Sequence, residues 1–132
     1  MTKVSKKALI ITDGTDSIQS IASVITRSLK GFKVKVCSAA EFEGTDLLPV
    51  DTFFLGCEKA NPSSFAYLED MLSHINLVSR KCGIFSSEEK ALKYLIKIVK
   101  DCEADLADVM LVKLKENFAP AIEDWVKEFF IK

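Results

Sequence analysis

Side chains able to do chemistry gather at three places along this chain. Asp13-Gly-Thr-Asp-Ser17 follows a short apolar run and sets two carboxylates and two hydroxyls around a glycine. Cys57-Glu58 follows a second apolar run, and Ser86-Ser-Glu-Glu89 a third. Hydroxyls and a glycine at a helix start form a donor set for phosphate, whereas carboxylates in the same loop repel one. Cys57 is the candidate nucleophile of these loops. A thiol needs a base within hydrogen-bond reach, and the single histidine, His74, lies a whole helix away.

The other chemical options close quickly. Cys37, Cys57, Cys82 and Cys102 form no C-x-x-C pair, and His74 alone cannot complete a zinc set, so free thiols in a reducing compartment are expected. The chain has no G-x-S-x-G elbow, no P-loop lysine, no dinucleotide fingerprint and no paired-histidine motif. Without a catalytic constellation, binding rather than catalysis is the expected activity.

These loops are positioned by a regular alternation of two hydrophobic periods. Ala8-Leu-Ile-Ile-Thr12, Asp51-Thr-Phe-Phe-Leu-Gly56 and Lys81-Cys-Gly-Ile-Phe85 are short apolar runs that read as strands covered on both faces. Lys33-Val-Lys-Val-Cys-Ser38 alternates with period two, as an edge strand does, and Asp108 to Leu114 supplies a fifth strand. Between them, Ile18, Ile21, Ala22, Ile25 and Leu29 recur at helical spacing, with Gly31 as the stop. Phe65, Leu68, Leu72 and Ile75 mark a second helix, with Asn61-Pro62 as its expected N-cap and first residue. Leu92, Leu95, Ile96 and Val99 mark a third, opened by Ser86-Ser-Glu-Glu89 as a capping box. Ile122, Trp125, Val126 and Phe129 mark the last, with Pro120 near its start, while Ala39 to Val50 stays irregular because Gly44 and Pro49 discourage a long helix.

Strands alternating with helices predict a single α/β domain over residues 1–132, a five-stranded parallel sheet with helices on both faces, and right-handed crossovers leave it few topologies. At 132 residues and 48% hydrophobic content, one core suffices without disulfide or metal. A net charge of −1 gives no field toward nucleic acid or an anionic membrane, and no run is long enough to span one. The cytoplasm is the expected address. In such a sheet the site lies at the carboxyl ends of the strands: Thr12 to Ser17, Cys57 to Asn61, Ser86 to Glu89 and Lys113 to Asn117.

Along almost its whole length the chain resembles the flavodoxins. The first unit, Lys7-Ala-Leu-Ile-Ile11 with Ile21-Ala22 and Val24-Ile25, is similar to theirs. So is Lys81-Cys-Gly-Ile-Phe-Ser86, and Asp46-Leu-Leu-Pro-Val-Asp-Thr-Phe-Phe-Leu-Gly-Cys57 matches best. The resemblance implies a flavodoxin-like three-layer sandwich with the five strands in the order 2-1-3-4-5, FMN and electron transfer. Gly14, Thr15 and Ser17 would then hold phosphate, with Cys57, Glu58, Ser86 and Ser87 flanking the ring. The family's S/T-x-T-G-x-T loop, laid without a gap on Asp13-Gly-Thr-Asp-Ser-Ile18, keeps only Thr15. Each unit charge at ~4 Å from a phosphate charge costs about 1 kcal/mol in water and about 4 kcal/mol at a dielectric near 20. The ring loops also lack the Trp or Tyr that stacks on flavin, since Tyr67, Tyr94 and Trp125 fall on helices. The Lys90, Lys93, Lys97 and Lys100 row reads as a solvated helix face, not the strongly acidic surface of an electron carrier.

Two expectations follow from these departures. The favoured one is a flavodoxin-like domain without cofactor, binding a protein partner or a small ligand at the carboxyl edge of its sheet. The alternative is an atypical flavodoxin that binds FMN and transfers electrons. A third reading, a pseudo-receiver domain using Asp13, Ser86 or Ser87, and Lys113, has Gly56 where the phosphoryl acceptor should stand.

Overall fold

The alternating periods translate into five strands and four α-helices among the described residues, 6–47, 50–77, 80–112 and 117–131, of the computed structural model. The strands are β1 (Lys6–Thr12), β2 (Phe32–Ser38), β3 (Thr52–Gly56), β4 (Lys81–Ser86) and β5 (Asp105–Leu111). The helices are α1 (Asp16–Ser28), α2 (Ala66–Leu72), α3 (Glu89–Asp101) and α4 (Ala119–Ile131). All strand pairs are parallel, in the order β2-β1-β3-β4-β5. The expected architecture and strand order are those observed.

The strand runs are apolar throughout because both faces are buried. On one face Leu9, Ile11, Phe53, Leu55, Cys82 and Ile84 pack against α2 and α3. On the other, Ala8, Ile10, Phe54 and Phe85 pack against α1 and α4. Each fully buried large side chain of this kind contributes roughly 1.5–3 kcal/mol. The helical stripes face inward as their spacing requires: Ile18, Ile21, Ala22 and Ile25 of α1, and Ile122, Trp125 and Val126 of α4. Trp125 meets Phe54 edge-on, with ring centroids 5.8 Å apart. Among the described residues of segment 39–50 there is a short 3-10 turn, Gly44–Leu47, and Ala39, Phe42, Leu47 and Val50 are buried in the core. The exposed side chains of Lys90, Lys93, Lys97 and Lys100 occupy the solvent side of α3. No helix of the described residues is long and apolar enough to cross a membrane.

Three local expectations are corrected. The fifth strand spans Asp105–Leu111, starting three residues before the expected Asp108, and a register shift opposite Cys82 and Gly83 lets it begin early. Asn61 is not an N-cap. It takes a left-handed φ of 52°, a conformation asparagine tolerates, and Pro62 instead precedes a 3-10 turn, Ser63–Phe65, that leads into α2. Ser86 is not the head of a capping box, because it is the last residue of β4 and α3 starts three residues later, with Glu88 at its N-cap position. The expectations that fall on Leu48, Pro49 and Lys113 to Glu116 lie outside the described residues.

One close packing contact lies at the carboxyl end of β3. Gly56 ends β3 beside Phe85, and a Cβ on Gly56 would come within 2.3 Å of the Phe85 ring. The ring occupies the space that a side chain at 56 would need, which removes the acceptor position of a receiver domain. Replacing Gly56 with alanine is expected to cost roughly 1–3 kcal/mol through overpacking. Urea unfolding checks this, and an unchanged midpoint would contradict the packing assignment.

Candidate functional site

The loops that leave β1, β3 and β4 meet at the carboxyl edge, and side chains hold them together. Thr12, the buried last residue of β1, accepts the Gly14 N–H on its hydroxyl at 3.2 Å, and that hydroxyl also lies 3.3 Å from Gln19 Oε1. Gly14 has φ +82°, which turns the chain sharply toward α1 and favours glycine. Asp13 stands at the centre. Its Oδ1 accepts the Thr15 N–H at 3.0 Å and the Thr15 hydroxyl at 2.7 Å. Its Oδ2 accepts the N–H of Glu58, across the sheet end, at 2.7 Å.

This arrangement follows from the local sequence. Aspartate two residues before a backbone N–H forms an Asx turn. Thr15 sits at the N-cap position of α1, yet its side chain makes no capping bond to the helix, because its hydroxyl is turned back to Asp13. Ser17, in the first turn of α1, donates its hydroxyl to Glu58 Oε2 at 2.6 Å. Asp16 lies exposed beside it, where the helix dipole favours an acid.

The second and third loops are joined by Ser86. Its buried hydroxyl donates to the Cys57 carbonyl at 2.6 Å and accepts the Glu88 N–H at 3.1 Å. The edge is completed by two backbone bonds, Ala39 N–H to the Thr12 carbonyl and Val112 N–H to the Ser86 carbonyl, both at 2.8 Å. Of the residues expected here, Gly14, Thr15, Ser17, Cys57, Glu58 and Ser86 are brought together by this network. Ser87 is half-buried in the turn between β4 and α3. The sequence reading missed Gln19 as a partner of Thr12, since its one signal was helical spacing, seven residues on.

The chemistry open to this edge is narrow. Burial, reinforced by the Asp13 carboxylate, pushes the Cys57 thiol up to about 12. At pH 7 essentially none of it is thiolate, which is the reactive form. His74 lies exposed just beyond the far end of α2, with its ring near the Asp70 carbonyl and the Ser73 hydroxyl. No group of three metal-ligating side chains is assembled among the described residues. No aromatic residue occurs in 57–62 or 86–88. Trp125 is buried against Phe54, Tyr94 packs 6.3 Å from Phe65 and donates to Glu69, and Tyr67 lies exposed 6.1 Å from Phe42. Free thiols occur at all four cysteines, three of them buried.

No protein-family model and no curated protein matches the chain. Solved structures do match in fold. The flavodoxin of Streptococcus pneumoniae TIGR4 superposes with a TM-score of 0.80 at 16% identity, covering 95% of this chain and 97% of that one. Oxidised Flavodoxin 2 of Bacillus cereus gives 0.79 at 20% identity, covering 95% and 98%. A Fusobacterium nucleatum flavodoxin bound to flavin mononucleotide gives 0.74 at 12% identity, covering 97% and 98%. The fold is therefore flavodoxin-like.

Two expected outcomes follow from the geometry. Ser86→Ala removes a donor and an acceptor from a buried junction and is expected to lower stability by roughly 1–3 kcal/mol, read by urea unfolding. Alkaline pH is expected to weaken the fold. Burial raises the Cys57, Cys82 and Cys102 thiols, and burial with Glu69 raises the Tyr94 hydroxyl. Folded pKa values above the unfolded ones leave stability intact below about pH 9 and erode it as pH climbs past that point, by about 1.4 kcal/mol per unit for each fully titrating group. The urea midpoint should fall from pH 9 upward in wild type and fall less steeply in Cys57→Ala. Parallel slopes would refute the assignment to Cys57.

Proposed function

We propose that this chain is a flavodoxin-like domain that works without FMN. It is a binding module that offers the carboxyl edge of its parallel sheet to a protein partner or a small ligand. One observation carries this reading. The donors that a phosphate would need, the Thr15 N–H, the Thr15 hydroxyl and the Glu58 N–H, are all taken by the Asp13 carboxylate. The Ser17 hydroxyl is likewise taken by Glu58. A phosphate dianion entering here would have to displace one carboxylate and sit beside another. These residues do not fit the group. The absence of aromatic residues from the two ring-flanking loops supports the same reading, because nothing in 57–62 or 86–88 can stack on a flavin.

The surface left to a partner is rich in carboxylates. Asp16 and Glu88 are exposed at the helix starts, and Glu58 is half-buried between them. A partner that brings amide, amine or guanidinium donors would find acceptors there. The cytoplasm suits four free thiols. The electron-transferring alternative has in its favour the fold shared with flavin-bound relatives, and fold alone does not decide function.

The test is a visible absorption spectrum of the purified protein, followed by FMN titration read by flavin fluorescence. No flavin absorption and no quenching at high micromolar FMN are expected. A bound yellow chromophore, or a sub-micromolar Kd, would overturn the proposal and restore the electron-carrier reading.

A further inference from the structure

The first loop is built like an anion cradle but supplies its own anion. The Asp13 carboxylate receives three donors, two from its own loop and one from Glu58, 45 residues away in sequence. A turn-forming aspartate needs only the local pair. The third bond clips the loop after β1 to the loop after β3. The hydroxyl of Thr15 is drawn off the helix start to make the second bond, and Glu58, once clipped, holds the hydroxyl of Ser17. Charge-assisted bonds to a carboxylate are roughly twice as strong as neutral ones. Every donor described here is thus satisfied by a side chain of this same chain.

We infer that Asp13 determines what this edge accepts: its carboxylate is a built-in anion that joins two loops and closes the cradle to phosphate and other tetrahedral oxyanions. The inference rests on the FMN-free reading and deepens it, because it assigns the exclusion to one residue. Without the carboxylate the charge is removed and the Glu58 N–H loses its acceptor, and where the replacement side chain is also too short to reach Thr15, the Thr15 N–H and hydroxyl become available to an external acceptor as well. The same substitution that opens the cradle therefore also loosens it. An oxyanion in solution should repair what the mutation removes, by binding the folded state alone.

Asp13→Asn and Asp13→Ser, made in the full chain, test this. The asparagine keeps the shape and the local turn acceptor without the charge, and the serine leaves a hydroxyl and more room. Thermal unfolding is compared in sodium phosphate and in sodium chloride at matched pH and ionic strength. FMN and riboflavin, which share the ring and differ in the phosphate, are titrated by fluorescence quenching. Wild type is expected to unfold at the same temperature in both salts and to quench neither flavin. Both variants should unfold earlier than wild type in chloride and recover part of the loss in phosphate. They should quench FMN with a Kd at least tenfold below the highest FMN concentration at which wild type shows no quenching, with no gain for riboflavin. A variant that folds only when phosphate is present supports the inference in the same way.

Variants that lose stability with neither a phosphate-specific recovery nor an FMN gain would reduce Asp13 to a turn former and overturn the inference. Glu58→Gln is the comparison, since it removes a neighbouring charge but keeps the backbone N–H that Asp13 holds. It should show neither effect. An equal gain there would mean that net charge, and not the position of Asp13, causes the exclusion, which also overturns the inference. Tight FMN binding by wild type is a different failure, because it removes the FMN-free reading itself.

Discussion

The bond between the Asp13 carboxylate and the Glu58 N–H is the point on which the working end of this molecule depends. A parallel sheet ends in loops whose backbone N–H groups face solvent, and each loop is free to move unless something spans the gap between them. In this chain the span is made by one side chain. With Oδ2 fixed on Glu58, Oδ1 fixes the turn around Gly14 and Thr15, and Glu58 in turn fixes Ser17 at the start of α1. Ser86 repeats the device one strand further on, linking the Cys57 carbonyl to the Glu88 N–H. The result is an edge tied together from β1 to β4 by side chains of the chain itself.

Beneath that local device lie two layers of buried apolar side chains. The sheet is covered on one face by α1 and α4 and on the other by α2, α3 and the irregular segment 39–50. Buried strands leave no slack: Phe85 lies over Gly56, so the end of β3 carries no side chain and its last carbonyls and N–H groups stay close to the loops they feed. Burial also quiets the Cys57 thiol at this edge, since a thiol raised to about 12 remains protonated at neutral pH.

A shared fold does not by itself fix the site, because fold and site rest on different residues. The superposition on flavodoxins reflects strand order, helix placement and core volume, which many apolar sequences can satisfy at 12–20% identity. Ligand binding rests on a handful of loop atoms. Changing which group accepts three hydrogen bonds alters the chemistry of the edge and leaves the layers untouched.

How much of this was legible in advance divides along the same line. Strand and helix positions were readable because burial on two faces gives unbroken apolar runs such as Ala8 to Thr12, and burial on one face gives the stripe from Ile18 to Leu29. The order of the strands was implied by the resemblance to flavodoxins, since alternation alone leaves more than one order open. The presence of two acids in a loop expected to hold phosphate was also plain, and so was the lack of aromatics. What the sequence did not determine were the contacts across long separations. The start of β5 at Asp105 depends on a register shift against β4. The role of Ser86 depends on a carbonyl 29 residues away, and local spacing suggested a capping box instead. Whether Asp13 merely turned the chain or also held a second loop was decided by Glu58, 45 residues on, whose N–H reaches it only because β1 and β3 lie side by side. Hydrophobic period is a local property and survives in one dimension; the partner of a polar atom is fixed only when the sheet brings two strand ends within 3 Å.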